Sequence, residues 1–165
     1  MTSSKHDKTP NAEDLFREAE QHEEKGDFRG AFKRLLAAAQ LGHHMSQLNL
    51  GNFYASGTGV RRDLARAAHW YKKAYKNGNN DGALNLAIDR RNEGNLRSAV
   101  VWFKKAIAMN SGEACIELAR IYGARKSGQR AAANLLRRAL RTSRDNIGEL
   151  AREKAESLLK EIEEA

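Results

Sequence analysis

Apolar positions recur along this chain at helical spacing, and whole stretches of the pattern repeat. The run Asp63 to Gly78, DLARAAHWYKKAYKNG, returns as Asn95 to Asn110, NLRSAVVWFKKAIAMN, and more faintly as Gly128 to Ser143 and Asp27 to Gly42. Its period of roughly 32 to 36 residues is that of two-helix solenoid units. Each copy puts Ala31, Ala67, Ala99 or Ala132 at one shared position and Ala38, Ala74, Ala106 or Ala139 at another. Small residues belong where two helices approach closely. Between them fall Arg34, Trp70, Trp102 and Leu135, then Leu35, Tyr71, Phe103 and Leu136, mostly large groups suited to filling gaps.

The periodicity predicts nine helices, over roughly 12–25, 28–41, 45–56, 64–77, 82–93, 96–109, 112–123, 128–142 and 146–163. No segment alternates with period two, so no strand is expected. Asn11, Asp27, Asp63 and Asn95 stand where helix N-caps are needed, and Gly26 separates the first two helices. The first helix of each pair repeats as well: Ser46, Leu50, Gly51 and Tyr54 correspond to Ala114, Leu118, Ala119 and Tyr122. In the third unit that register is assigned to Ala83, Ala87, Ile88 and Arg91, which implies thinner packing there. The last helix carries Ile147, Leu150, Ala151, Leu158 and Ile162 on one side and glutamates elsewhere, as a terminal cap requires.

The expected fold is all-α: an α/α solenoid of about four two-helix repeats plus a C-terminal capping helix. The repeat domain covers residues 11–163, with units at about 11–42, 43–78, 79–110 and 111–143 and a capping helix at 145–163. Residues 1–10 are polar and unpatterned and are expected to form a disordered tail. With 165 residues and one proline, a single helical domain with a continuous core is possible.

The formal charge of +8 favours acidic partners: nucleic acid, anionic lipid or an acidic protein surface. Cys115 is the single cysteine, so no internal disulfide can form, and a reducing compartment is the simplest expectation. The start MTSSKHDKTP has no apolar core of a signal sequence, and no apolar run approaches the roughly 18 residues of a membrane span. A cytoplasmic protein follows as the expectation.

The second unit, SQLNLGNFYASGTGVRRDLARAAHWYKKAYKNG, contains L-G-x-x-Y, then G-x-G-V at Gly57, Thr58, Gly59 and Val60, then A-x-x-W-Y-K-K-A. In these features the chain resembles the Sel-one-like repeat family, a relative of tetratricopeptide repeats. The resemblance spans roughly residues 12 to 143. The G-x-G-V insertion occurs once, which fits the shorter spacing of the other units. The resemblance implies a right-handed α/α superhelix that serves as a protein-interaction scaffold and brings no catalytic residues.

Candidate chemistry is sparse. The stretch GNFYASGTGVRRD lacks the G-K-S/T ending and the preceding strand of a phosphate loop, so Gly57 and Gly59 are expected to serve the turn while Val60 enters the core. His43 and His44 are adjacent and do not converge as residues four apart on a helix would. Cys115 occupies an alanine-like position on an apolar face and is expected to be a buried structural thiol. No catalytic constellation, metal set or cofactor is expected, and the chain is taken to be non-enzymatic.

Two surfaces remain. First helices of stacked pairs line a concave side, where Arg17, Gln21, Asn49, Asn52, Ser56, Asn85, Asp89, Asn92, Glu117 and Arg120 are expected to form a partner-binding groove. Asparagine is a poor interior helix former, and its amide both donates and accepts, so it can hold the main chain of an extended peptide. The second surface is a basic convex stripe of Lys72, Lys73, Lys104, Lys105, Arg137 and Arg138. The leading expectation is therefore an adaptor, or an inhibitor or immunity-type protein, that holds a partner's peptide segment or folded surface in the groove. The alternative is nucleic-acid or acidic-surface binding through the stripe. The groove is favoured over a merely solvated face, whereas the stripe can equally be one.

Overall fold

The computed structural model describes residues 11–142 and 147–164. The expected tail at 1–10 and the start of the capping helix near 145 lie outside these residues. All regular structure among the described residues is helical. The chain divides into two compact units, Met1–Asn77 and Gly78–Ala165.

The first unit holds two helix pairs, α1 (Ala12–Glu24) with α2 (Phe28–Gln40) and α3 (His44–Ser56) with α4 (Leu64–Lys76). Helix α2 also packs on α3. The expected caps close these helices. Side-chain oxygens of Asn11, Asp27 and Asp63 accept from the amides of Asp14 at 2.8 Å, Gly30 at 2.9 Å and Arg66 at 2.9 Å. His43 caps α3 with a ring nitrogen, 3.3 Å from the Ser46 amide.

Gly51 and Gly59 are glycines for steric reasons. A β-carbon at Gly51 would overlap the ring of Tyr71 on α4, and one at Gly59 would overlap the carbonyl of Phe28 at the start of α2. Gly59 also has φ of +66°, in the left-handed region open to glycine. The loop between α3 and α4 is thus pressed against the neighbouring pair. Val60 remains half-buried there instead of entering the core, because it belongs to the loop and not to a helix face.

The second unit contains α5 (Asn80–Asn92) with α6 (Leu96–Ala108), α7 (Gly112–Gly123) with α8 (Gln129–Arg141), and α9 (Glu149–Glu163). A short 3-10 turn, Lys126–Gly128, leads into α8. Asn79, Asn95 and Ser111 cap α5, α6 and α7. Helix α9 rests on α8 and α7.

The repeated small and large positions build the core of each unit. Ala31, Ala38, Ala67 and Ala74 are fully buried in the first, and Ala99, Ala106, Ala132 and Ala139 in the second. The neighbouring large positions, Leu35 and Tyr71, Phe103 and Leu136, are buried against them, each contributing about 1.5 to 3 kcal/mol of apolar burial. The preceding position is less uniform: Trp70 is buried, Trp102 and Leu135 are half-buried, and Arg34 is exposed and pairs with Glu18 at 3.1 Å.

Two expectations need correction. Counted from the caps Asn11, His43, Asn79 and Ser111, the eighth residues are Ala19, Gly51, Ala87 and Ala119, and all are buried. The third unit is therefore in register through Gly82, Leu86, Ala87 and Arg90, one residue earlier than Ala83, Ala87, Ile88 and Arg91. Leu86 is fully buried at the place held by Leu50 and Leu118, so that position keeps its large apolar group, while half-buried Arg90 stands where Tyr54 and Tyr122 do. In α9, Leu150 is 80% exposed instead of packed, and Ala155 is the helix's buried residue. Leu150 lies in the first turn of α9, two turns or more before Leu158 and Ile162, which line a small cavity together with Ala119 and Gly123 of α7 and Leu136 of α8.

Candidate interaction surfaces

In the first unit, the expected groove residues stand on α1 and α3. Arg17 is exposed and paired with Asp14 at 3.8 Å, Gln21 is exposed, and Asn49 is half-buried. Asn52 is engaged within the unit: its Oδ1 accepts from the Tyr71 hydroxyl at 2.9 Å. Ser56 donates to the Asn52 carbonyl at 2.8 Å and lies 2.7 Å from the Thr58 hydroxyl, which ties it to the glycine loop.

In the second unit, Asn85 and Asp89 are half-buried on α5, and the exposed Asn92 ends it. Glu117 on α7 is held by Arg91 and, at 3.8 Å, by the exposed Arg120. Arg17, Asn49, Asn85 and Glu117 share the sixth position after their caps. The ninth position reads Glu20, Asn52, Ile88 and Arg120, so the asparagines do not form one uninterrupted row. Ile88 replaces an amide with an alkyl group in the second unit.

That substitution belongs to a feature the periodicity concealed. Helices α5, α7 and α9 leave an open groove of about 710 Å³, lined by Leu84, Ile88, Ile116, Leu150 and Ala151 with Glu113, Glu117, Glu153 and Lys154 around them. Leu84 and Ile116 form buried floor, whereas Leu150 stands at the rim. The helical spacing of Leu84 and Ile88 suits any core face, so the sequence alone could not separate floor from core. The available signal was Leu150, an apolar residue in the first turn of a helix rich in glutamate.

The basic stripe is largely consumed by internal contacts. In the first unit, Lys73 Nζ sits 4.7 Å from the Trp70 ring centre. In the second, Lys105 Nζ lies 3.9 Å from that of Trp102, Arg137 pairs with Glu163 at 2.7 Å, and Arg138 donates to the Ile107 carbonyl at 2.9 Å. Each cation–π contact contributes about 0.5 to 1 kcal/mol at such exposed sites. Lys72 and Lys104 are exposed. Trp70, Tyr71 and Phe103 are buried, which leaves their faces unavailable for base stacking.

Cys115 is buried on α7, and burial pushes its thiol above the usual range, only partly offset by the charge of Arg138. Among the described residues, no group of three or more His, Cys, Asp or Glu side chains is placed to hold a metal ion. No helix among them is long and apolar enough to cross a membrane.

Paired helices with a repeated small-residue register define a helical repeat protein of the solenoid class. Residues 44–79 and 86–111 match the Sel1 repeat. These two segments are similar to Sel1 repeats. A crystal structure of a Sel1 repeat protein from Oxalobacter formigenes is similar, with 21% identity and a TM-score of 0.70 over 98% of this chain and 76% of that one. So is c5321, a protective antigen present in uropathogenic Escherichia coli strains and displaying an SLR fold. That likeness has 16% identity and a TM-score of 0.74 and covers 92% of this chain, which spans 33% of c5321. These likenesses establish the fold. Comparison with curated proteins gave no match. Sel1 repeat proteins are in general protein–protein interaction scaffolds and typically non-catalytic.

Proposed function

We propose that this protein is a non-enzymatic cytoplasmic adaptor that holds a segment of a partner protein against the first-helix faces of its repeats. The observation carrying this reading is the open groove between α5, α7 and α9, beside the half-buried polar side chains of Asn85 and Asp89. A preformed helical surface loses little conformational entropy on binding, so its contacts can yield net affinity. An inhibitor or immunity-type protein that covers another protein's active surface is one form of this role. The engaged state of Lys73, Lys105, Arg137 and Arg138 argues against the stripe as a nucleic-acid surface.

Quantitative affinity capture with three baits tests the reading: the natural chain, Asn85→Ala/Asn92→Ala, and Lys72→Glu/Lys104→Glu. Protein partners retained by the stripe variant and lost from the asparagine variant are the expected result. Recovery of nucleic acid alone, lost with Lys72→Glu/Lys104→Glu and falling steeply with salt, would sink it.

A further inference from the structure

We infer that the groove between α5, α7 and α9 takes a basic amphipathic segment of a partner protein, with apolar side chains on the floor and lysine or arginine at the rim. The inference rests on the adaptor reading and specifies the chemistry of what is held.

Three observations converge. First, the floor is apolar, formed by Leu84, Ile88, Ile116 and Ala151, and its volume of about 710 Å³ falls within the range of clefts that bury a ligand. Second, Leu150 is 80% exposed at the edge of that floor. An exposed leucine alone is ordinary, but one continuous with an open apolar groove extends the surface a partner can cover. Third, the rim is acidic on balance, with Glu113, Glu117 and Glu153 against the single cation Lys154, and so opposes the charge of the whole chain. Glu113 and Glu153 are exposed and enter none of the ion pairs among the described residues, whereas Glu117 is already held by Arg91 and Arg120. A protein of net charge +8 with two available glutamates beside an apolar cleft selects against the acidic partners its overall charge attracts.

These features fit a helix-in-groove or extended-segment mode, in which alternate apolar anchors enter the cleft and basic residues flank them. A small apolar molecule would use the floor and leave the glutamates idle. An acidic segment would meet like charge at Glu113 and Glu153, with Lys154 the one cation on the lining.

Selection of a displayed random-peptide library on the full-length chain tests the assignment, followed by titration of the recovered peptides against three variants. The selected peptides should be enriched in large apolar residues together with Lys or Arg. Leu150→Asp and the charge reversal Glu113→Lys/Glu153→Lys should each weaken binding by about tenfold or more, while the surface control Val101→Asp leaves it unchanged. All altered positions are exposed, and circular dichroism verifies that the variants keep their helices. Selection of acidic or purely polar peptides, binding indifferent to Leu150→Asp, or no enrichment overturns the inference. If partner capture by the natural chain still depends on Asn85 and Asn92 when the library result fails, the adaptor reading stands and this assignment alone falls.

Discussion

The hydroxyl of Tyr71 donates a 2.9 Å hydrogen bond to Oδ1 of Asn52, while its ring fills the space over Gly51. One side chain of α4 thereby fixes two consecutive residues of α3. Asn52 faces solvent with its acceptor already occupied, so it contributes to the first unit's stability before it contributes to any partner.

Tyr71→Phe should lower unfolding free energy by about 0.5 to 1.5 kcal/mol, the usual net value of one hydrogen bond. Gly51→Ala should cost more, about 1 to 3 kcal/mol, because the new methyl meets a ring held at both ends. Urea denaturation monitored by far-ultraviolet circular dichroism ranks the two, and a neutral Gly51→Ala would contradict the packing described.

The Asp27 carboxylate is held below its ordinary pKa, first by the hydrogen bond from the Gly30 amide and then by His22. A depressed folded-state value stabilises the protein above the unfolded pKa of about 3.9, and that contribution is lost as pH falls through the folded value. Melting temperatures measured from about pH 5 down to about pH 2 should therefore fall less steeply for Asp27→Asn than for the natural chain. Parallel curves would rule out this linkage.

Much of the fold was legible because its determinants are local. Asp27, Asp63 and Asn95 announce helix starts within three residues of the amides they cap, and the paired alanines repeat at fixed spacing. The third unit slipped by one residue because Ala83 and Ala87 offer small side chains four apart, imitating the true pair of Gly82 and Leu86. The buried Asn79, which accepts from Asp81 and Gly82, is what sets the correct register. The site was less legible. Capture of Asn52 depends on Tyr71, nineteen residues away, and the open groove depends on where α9 comes to rest.

Arg138 donates from α8 to the Ile107 carbonyl at the end of α6, satisfying a helix-terminal acceptor. Arg138→Ala should cost about 1 kcal/mol, whereas Lys72→Ala and Lys104→Ala should each fall within about 0.5 kcal/mol of the natural chain. Equal effects at all three positions, read from urea midpoints, would remove the distinction between engaged and solvated members of the stripe.

The Cys115 thiol is buried with its pKa raised by desolvation, so little thiolate exists at neutral pH. A thiol reagent such as a maleimide should label the folded protein far more slowly than the urea-unfolded chain. Cys115→Ser should destabilise by about 1 to 3 kcal/mol if its hydroxyl is left unpaired there. Rapid labelling under native conditions would place the thiol at the surface and contradict its position on α7.

Helix α9 lies on α7 and α8 in the manner of a first helix that has no second helix following it among the described residues. Its glutamates Glu149, Glu153, Glu156, Glu161 and Glu163 are exposed. The apolar residue α9 leaves in the open is Leu150, so the last described helix both closes the stack on α7 and α8 and carries one wall of the groove.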